Sequence, residues 1–199
     1  MENYHELDIH RMREQDNNTI IMTNERRKKS FISAYENYIQ KGGWRNSASI
    51  IRHSHLIMTG STFEERMELI RSMYNLLYLW GVINKMGITE VRADELNGKT
   101  ENDTQSCIRE KISEAMGGAL LIEDANELNQ EALNTIIQQI DTNNNKLLFI
   151  LAGNNPLMID FMKATPVLTR RYMKYVDLDS PNAIRIKTRI KNMKPLIAI

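Results

Sequence analysis

The sequence predicts an α/β chain built on a parallel sheet that is covered by helices on both faces. Two observations lead there. Several short runs, 54–59 (SHLIMT), 119–123 (ALLIE) and 146–152 (KLLFILA), are too uniformly apolar for strands with one wet face. Stretches of helical period separate these runs, and alternation of strand with helix argues for a doubly covered parallel sheet.

The elements follow in order. A polar, aperiodic segment to about Asn24 leads into a helix over 25–40, ended by Gly42 and Gly43. The run 54–59 reads as a strand whose start includes His53 and His55, and Gly60 turns the chain into an amphipathic helix over 62–80. Met67, Ile70, Met73, Leu76 and Leu77 share one face of it. A strand over 88–92, a helix over 104–116 and a strand over 119–123 come next, the last introduced by Gly117 and Gly118. A helix over 129–142, a strand over 146–152, a short helix over 156–164 and a last strand over 174–178 complete a five-stranded parallel sheet.

Composition narrows the function classes. With 42% hydrophobic and 26% charged residues among 199, the chain has enough apolar material for one sizeable core. It carries no apolar run of membrane-spanning length and no secretory leader, so a cytoplasmic protein with no membrane partner is expected. The single cysteine, Cys107, excludes an internal disulfide and a cysteine-rich zinc site, and the four histidines have no metal-ligand spacing. No metal site is expected. A net charge of +1 makes no general case for nucleic acid, although basic residues cluster at 26–29 and again from Arg185 to Lys194.

Certain motifs carry a resemblance. GGALLIEDANEL (117–128), then LFILAGN (148–154), PVLTRRY (166–172) and LNGKTENDT (96–104) occur in the order found in the AAA+ proteins of the Rubisco-activase CbbX and stage V sporulation protein K group. The chain resembles that group over about residues 50–178. The resemblance implies a three-layer P-loop NTPase core, here with a helical N-terminal extension over 1–45, the α/β core over 46–180 and a basic, then apolar, tail over 181–199. A full C-terminal lid is not expected.

The resemblance also implies which residues handle nucleotide. The phosphate loop of the family, G-x-x-x-x-G-K-[ST], aligns with GSTFEERM (60–67). Gly60 is kept. Glu65 stands where a glycine lets backbone N–H groups wrap phosphate, Arg66 replaces the lysine, and Met67 removes the hydroxyl that would hold magnesium. Arginine is no simple replacement for a compact ammonium. The Asp-Glu pair that ends the family's third strand, one for magnesium and one for the attacking water, is reversed here as Glu123-Asp124. Asn154 matches the sensor-1 position, and also suits a turn. Arg171 matches the arginine finger, which acts on a neighbouring subunit, and with Arg170 also suits a solvated pair. Where the group's pore loop grips polypeptide with an aromatic, this chain has Thr100, so threading is not expected.

A second phosphate-loop pattern, ADELNGKT (93–100), offers Gly98, Lys99 and Thr100 between a strand and a helix. Asp94 and Glu95 speak against it.

The leading expectation is therefore a catalytically inactive, pseudo-ATPase subunit, not an enzyme, with no cofactor, assembling with copies of itself or with an active AAA+ relative. The alternative is an AAA+ ATPase with an atypical site, taking ATP and magnesium. A further alternative uses the alternating IRIKTRIK (184–191) as a basic strand face for nucleic acid; an edge strand protected by its charges is the preferred reading of that segment.

Overall fold

The computed structural model describes residues 28–60, 62–154, 156–171, 173–178 and 185–187. The polar N-terminal segment, most of the basic stretch 184–191 and the apolar end Leu196–Ile199 lie outside the described residues.

Helix α1 (28–42) and helix α2 (Ser47–Ser54) precede β1 (Leu56–Thr59), and α3 (Phe63–Leu79) follows it. Then come β2 (Ile88–Arg92), the single turn α4 (Ala93–Leu96), α5 (Glu101–Ala115) and β3 (Ala119–Glu123). Helix α6 (Gln130–Asn143), β4 (Leu148–Gly153), α7 (Leu157–Ala164), α8 (Pro166–Arg171), β5 (Lys174–Asp177) and β6 (Arg185–Lys187) finish the series.

The sheet order is β2-β3-β4-β1-β5-β6. The first five strands are parallel, as the sequence predicts, and β6 adds an antiparallel edge beside β5. Successive residues of the central strands feed opposite layers, as strand geometry requires. Leu56 and Met58 of β1, Leu121 of β3 and Ile150 of β4 join the cluster formed with α1 and α3. Ile57, Leu120, Ile122 and Leu151 join the other, formed with α5, α6 and α7. That is a three-layer core, and two-sided burial explains why these strands read as continuous apolar runs.

Two local expectations are corrected. β1 starts at Leu56 because 47–54 forms α2, capped by Asn46, whose side chain accepts from the Ser49 N–H at 2.8 Å. His53 therefore ends a helix and stacks on Trp44, with ring centroids 4.2 Å apart. His55 is fully buried: the Phe149 N–H donates to its Nδ1 at 3.1 Å, so Nε2 carries the proton and donates to the Asn144 carbonyl at 3.0 Å. Burial pulls its pKa down to about 4.

Candidate functional site

β1 lies beside β4, yet the helix after β1 packs on one face of the sheet and the helix after β4 on the other. Such a switch point opens a crevice outside the carboxyl ends of the strands. A pocket of about 440 Å³ occupies that place. Phe63 and Arg66 of α3, Glu123 and Asp124 at the end of β3, and Asn154 after β4 form one wall. The end of β2 and α4 supply Glu90, Val91, Arg92 and Glu95 opposite.

The turn after β1 is short. Gly60 adopts φ +81°, which suits a residue without Cβ, and helix α3 begins at Phe63. Thr62 caps it, accepting from the Glu65 N–H at 3.3 Å, and the Arg66 N–H donates to the Thr62 carbonyl at 3.1 Å. Positions 63–67, which the resemblance places in a phosphate loop, are thus already helical. The Glu64 carboxylate bonds its own N–H and the Thr62 hydroxyl, which holds its pKa down. Glu65 is half-buried at the helix start, and Met67 is turned into the core, 2% exposed.

Arg66 and Glu123 meet within the first of these walls. Arg66 is 3% exposed and Glu123 5%. Arg66 Nη2 donates to Glu123 Oε2 at 2.9 Å, while the contacts of Nη1 with the Gly60 carbonyl and Asn154 Oδ1 are longer, 3.4 Å each. Burial pushes the Glu123 carboxyl above the usual carboxylate range, and Arg66 pulls the other way. Breaking such a pair by deleting one partner leaves an uncompensated buried charge, at about 3–5 kcal/mol.

Asp124 is the one described non-glycine residue at positive φ, +51°. Aspartate tolerates this left-handed conformation better than most residues. Its carboxylate meets Arg92 Nη2 at 2.8 Å. Arg92 also lies 3.5 Å from Asp94, and its N–H donates to Glu95 Oε1 at 3.0 Å. Sequence reading misses Arg92, because its relevance comes from register: it stands opposite Glu123 on the neighbouring strand.

The remaining expected residues separate. Asn154 lines the crevice, and its carbonyl also accepts from the Met158 N–H at 3.1 Å, so turn and crevice roles coexist. Arg171 ends α8, just before β5 begins beside Leu56, at the amino ends of the strands and so at the end of the sheet opposite the crevice. Gly98, Lys99 and Thr100 do not line it. Thr100 caps α5 by accepting from the Asp103 N–H at 3.2 Å, the Gly98 N–H donates to Thr104 Oγ1 at 3.0 Å, and Lys99 is exposed. A Cβ on Gly98 would collide with the Thr104 backbone nitrogen, so packing explains that glycine.

The resemblance implies ATP with magnesium, and the two fit differently. A buried cation at the head of the crevice suits a phosphate. The donor set does not suit magnesium, because Met67 is packed into the core where a hydroxyl is required and each of Glu123 and Asp124 is engaged by an arginine. Among the described residues, no helix is long and apolar enough to cross a membrane.

No family model matches the chain. It is similar to the protein CfxQ homolog of Galdieria sulphuraria, 30% identical over 132 residues that cover 62% of this chain and 43% of the relative. It is likewise similar to protein CbbX of Cereibacter sphaeroides, 26% identical, with 62% and 43% covered. The chloroplastic ribulose bisphosphate carboxylase/oxygenase activase of Cyanidioschyzon merolae is 27% identical, with 62% and 45% covered. The match spans less than half the length of each relative. Among solved structures, the RuvB Holliday junction branch migration motor of Thermotoga maritima superposes with TM-score 0.44 at 17% identity, over 78% of this chain and 45% of that one. The P-loop NTPase domain of the sigma-54 transport activator of E. coli gives TM-score 0.39 at 16% identity, over 60% and 88%.

These relatives correct one expectation. The sequence predicts a chain that is not an enzyme, but its matched stretch is shared with proteins named CbbX and, in one case, an activase. The replacements at 65–67 do not by themselves mark an inactive protein. Over its α/β core the chain is similar to the CbbX and CfxQ proteins, and that core has the three-layer arrangement on a five-stranded parallel sheet that the resemblance implies.

Proposed function

We propose that the chain is an AAA+-type regulatory ATPase module with an atypical nucleotide site, binding and hydrolysing ATP in the crevice at the carboxyl ends of β1, β3 and β4. The observation that carries this reading is the buried Arg66 guanidinium at the head of that crevice, where the family form places its phosphate-binding lysine. An arginine fork offers a phosphate two parallel donors, a geometry that an ammonium lacks. Phe63, 46% exposed at the rim, adds an aromatic surface beside the polar wall.

The module acts in an assembly, with copies of itself or with a related AAA+ protein, on a protein partner. Arg171 supports this, since a residue at the amino ends of the strands, away from the chain's own crevice, has work to do at a nucleotide only in a neighbour. The test is binding and turnover of ATP by the purified protein, with and without magnesium, beside Arg66→Ala. Saturable binding and turnover that both disappear in the variant support the reading. No binding at millimolar ATP, or turnover unchanged in Arg66→Ala, overturns it.

A further inference from the structure

Two of the departures from the family form face each other. At 66 a lysine is replaced by the longer, forked arginine, and at 123 an aspartate is replaced by glutamate, longer by a methylene. The two side chains meet at 2.9 Å, both almost fully buried. The bond from Arg66 to Glu123, at 2.9 Å, is shorter than the contacts of the guanidinium with the Gly60 carbonyl and Asn154 Oδ1, 3.4 Å each. The guanidinium is thus already bonded to an anion from its own chain.

We propose that Glu123 is an internal stand-in for phosphate, which occupies Arg66 in the resting protein and so sets the affinity of the crevice for nucleotide. This rests on the reading that the crevice takes a nucleotide and deepens it. An incoming phosphate must exchange with the carboxylate. It does so because it carries more negative charge and presents several oxygens to the fork. Glu123 is then an affinity-determining residue, not a metal ligand. The second acid of the pair is held in the same manner, Asp124 by Arg92 at 2.8 Å, so both acids are engaged by arginines of the chain itself. Nucleotide binding consequently does not require magnesium.

The test uses calorimetric titration of ATP and of ADP into the full chain, as wild type, Glu123→Gln, Glu123→Asp and Arg66→Ala, each in magnesium and in EDTA. Glu123→Gln removes the competing charge while keeping the volume and one acceptor oxygen. Glu123→Asp keeps the charge but draws it back from Arg66, and it decides the matter if the glutamine variant does not fold. Both variants are expected to bind either nucleotide at least about tenfold more tightly than wild type, a difference of about 1.4 kcal/mol, in EDTA as in magnesium. Arg66→Ala is expected to bind neither. Weaker binding by the folded Glu123 variants, or binding that needs magnesium, overturns the proposal while leaving the nucleotide site itself standing. Binding by the variants but not by wild type supports the proposal and removes the reading of wild type as a nucleotide-binding protein. No binding by any protein ends both.

Discussion

At the scale of single residues, the crevice joins groups that a family alignment treats one at a time. Arg66 and Glu123 each count as a replacement in the sequence, yet together they form one buried, bonded pair. Sequence reading identifies both positions but not their contact, because the lysine-to-arginine change looks like a lost point charge until the fork is seen to reach β3. His55 makes the complementary case. Sequence reading treats it as the start of a strand, whereas it is a buried neutral imidazole that ties β1 to β4 and to the end of α6. Its pKa is lowered to about 4 from 6.5, so the unfolded chain binds the proton first as pH falls. Its contribution to stability is therefore complete above pH 6.5 and is lost progressively down to about 4. Over that window the loss is on the order of 3 kcal/mol, at about 1.36 kcal/mol per unit. Denaturant unfolding across the window should show a flatter stability profile for His55→Gln, which keeps a donor and an acceptor but does not titrate. Parallel profiles would place the acid sensitivity elsewhere.

At the scale of elements, legibility follows burial. β3 and the helices beside it are readable because two-sided burial writes a continuous apolar run and one-sided burial a helical stripe. Helix α2 is hard to read, since SASIIRHS is short and has only Ala48, Ile50 and Ile51 as apolar residues. Arg92 is invisible for a different reason: strand register, which no local pattern encodes, brings it beside the end of β3. The Gly98-Lys99-Thr100 segment shows the converse, a legible motif with a local structural job. Its glycine gives way to the backbone of α5 and its threonine caps that helix. Lys99→Ala should accordingly leave nucleotide affinity unchanged, whereas Gly98→Ala should lower stability by about 1–3 kcal/mol through overpacking. Titration and unfolding curves check the two separately. A loss of nucleotide binding in Lys99→Ala would restore this segment as a phosphate loop.

At the scale of the whole molecule, the sheet order sets what each edge can do. The crevice lies at the carboxyl ends of the strands, while Arg171 precedes β5 at the amino ends. A chain with Arg66 in the crevice at the carboxyl ends of its strands and Arg171 at their amino ends suits head-to-tail association, in which one copy completes the next. Light scattering of the purified protein should show a larger mass with ATP than without it, and Arg171→Ala should reduce turnover while leaving the affinity of each crevice in place. An unchanged monomer mass under both conditions would remove the assembly from the account.

The most direct test of the central claim is calorimetric titration of ATP into the wild-type chain and Arg66→Ala. Saturable binding by wild type and none by the variant is expected. Absence of binding by wild type at millimolar ATP, or equal binding by both proteins, would contradict it.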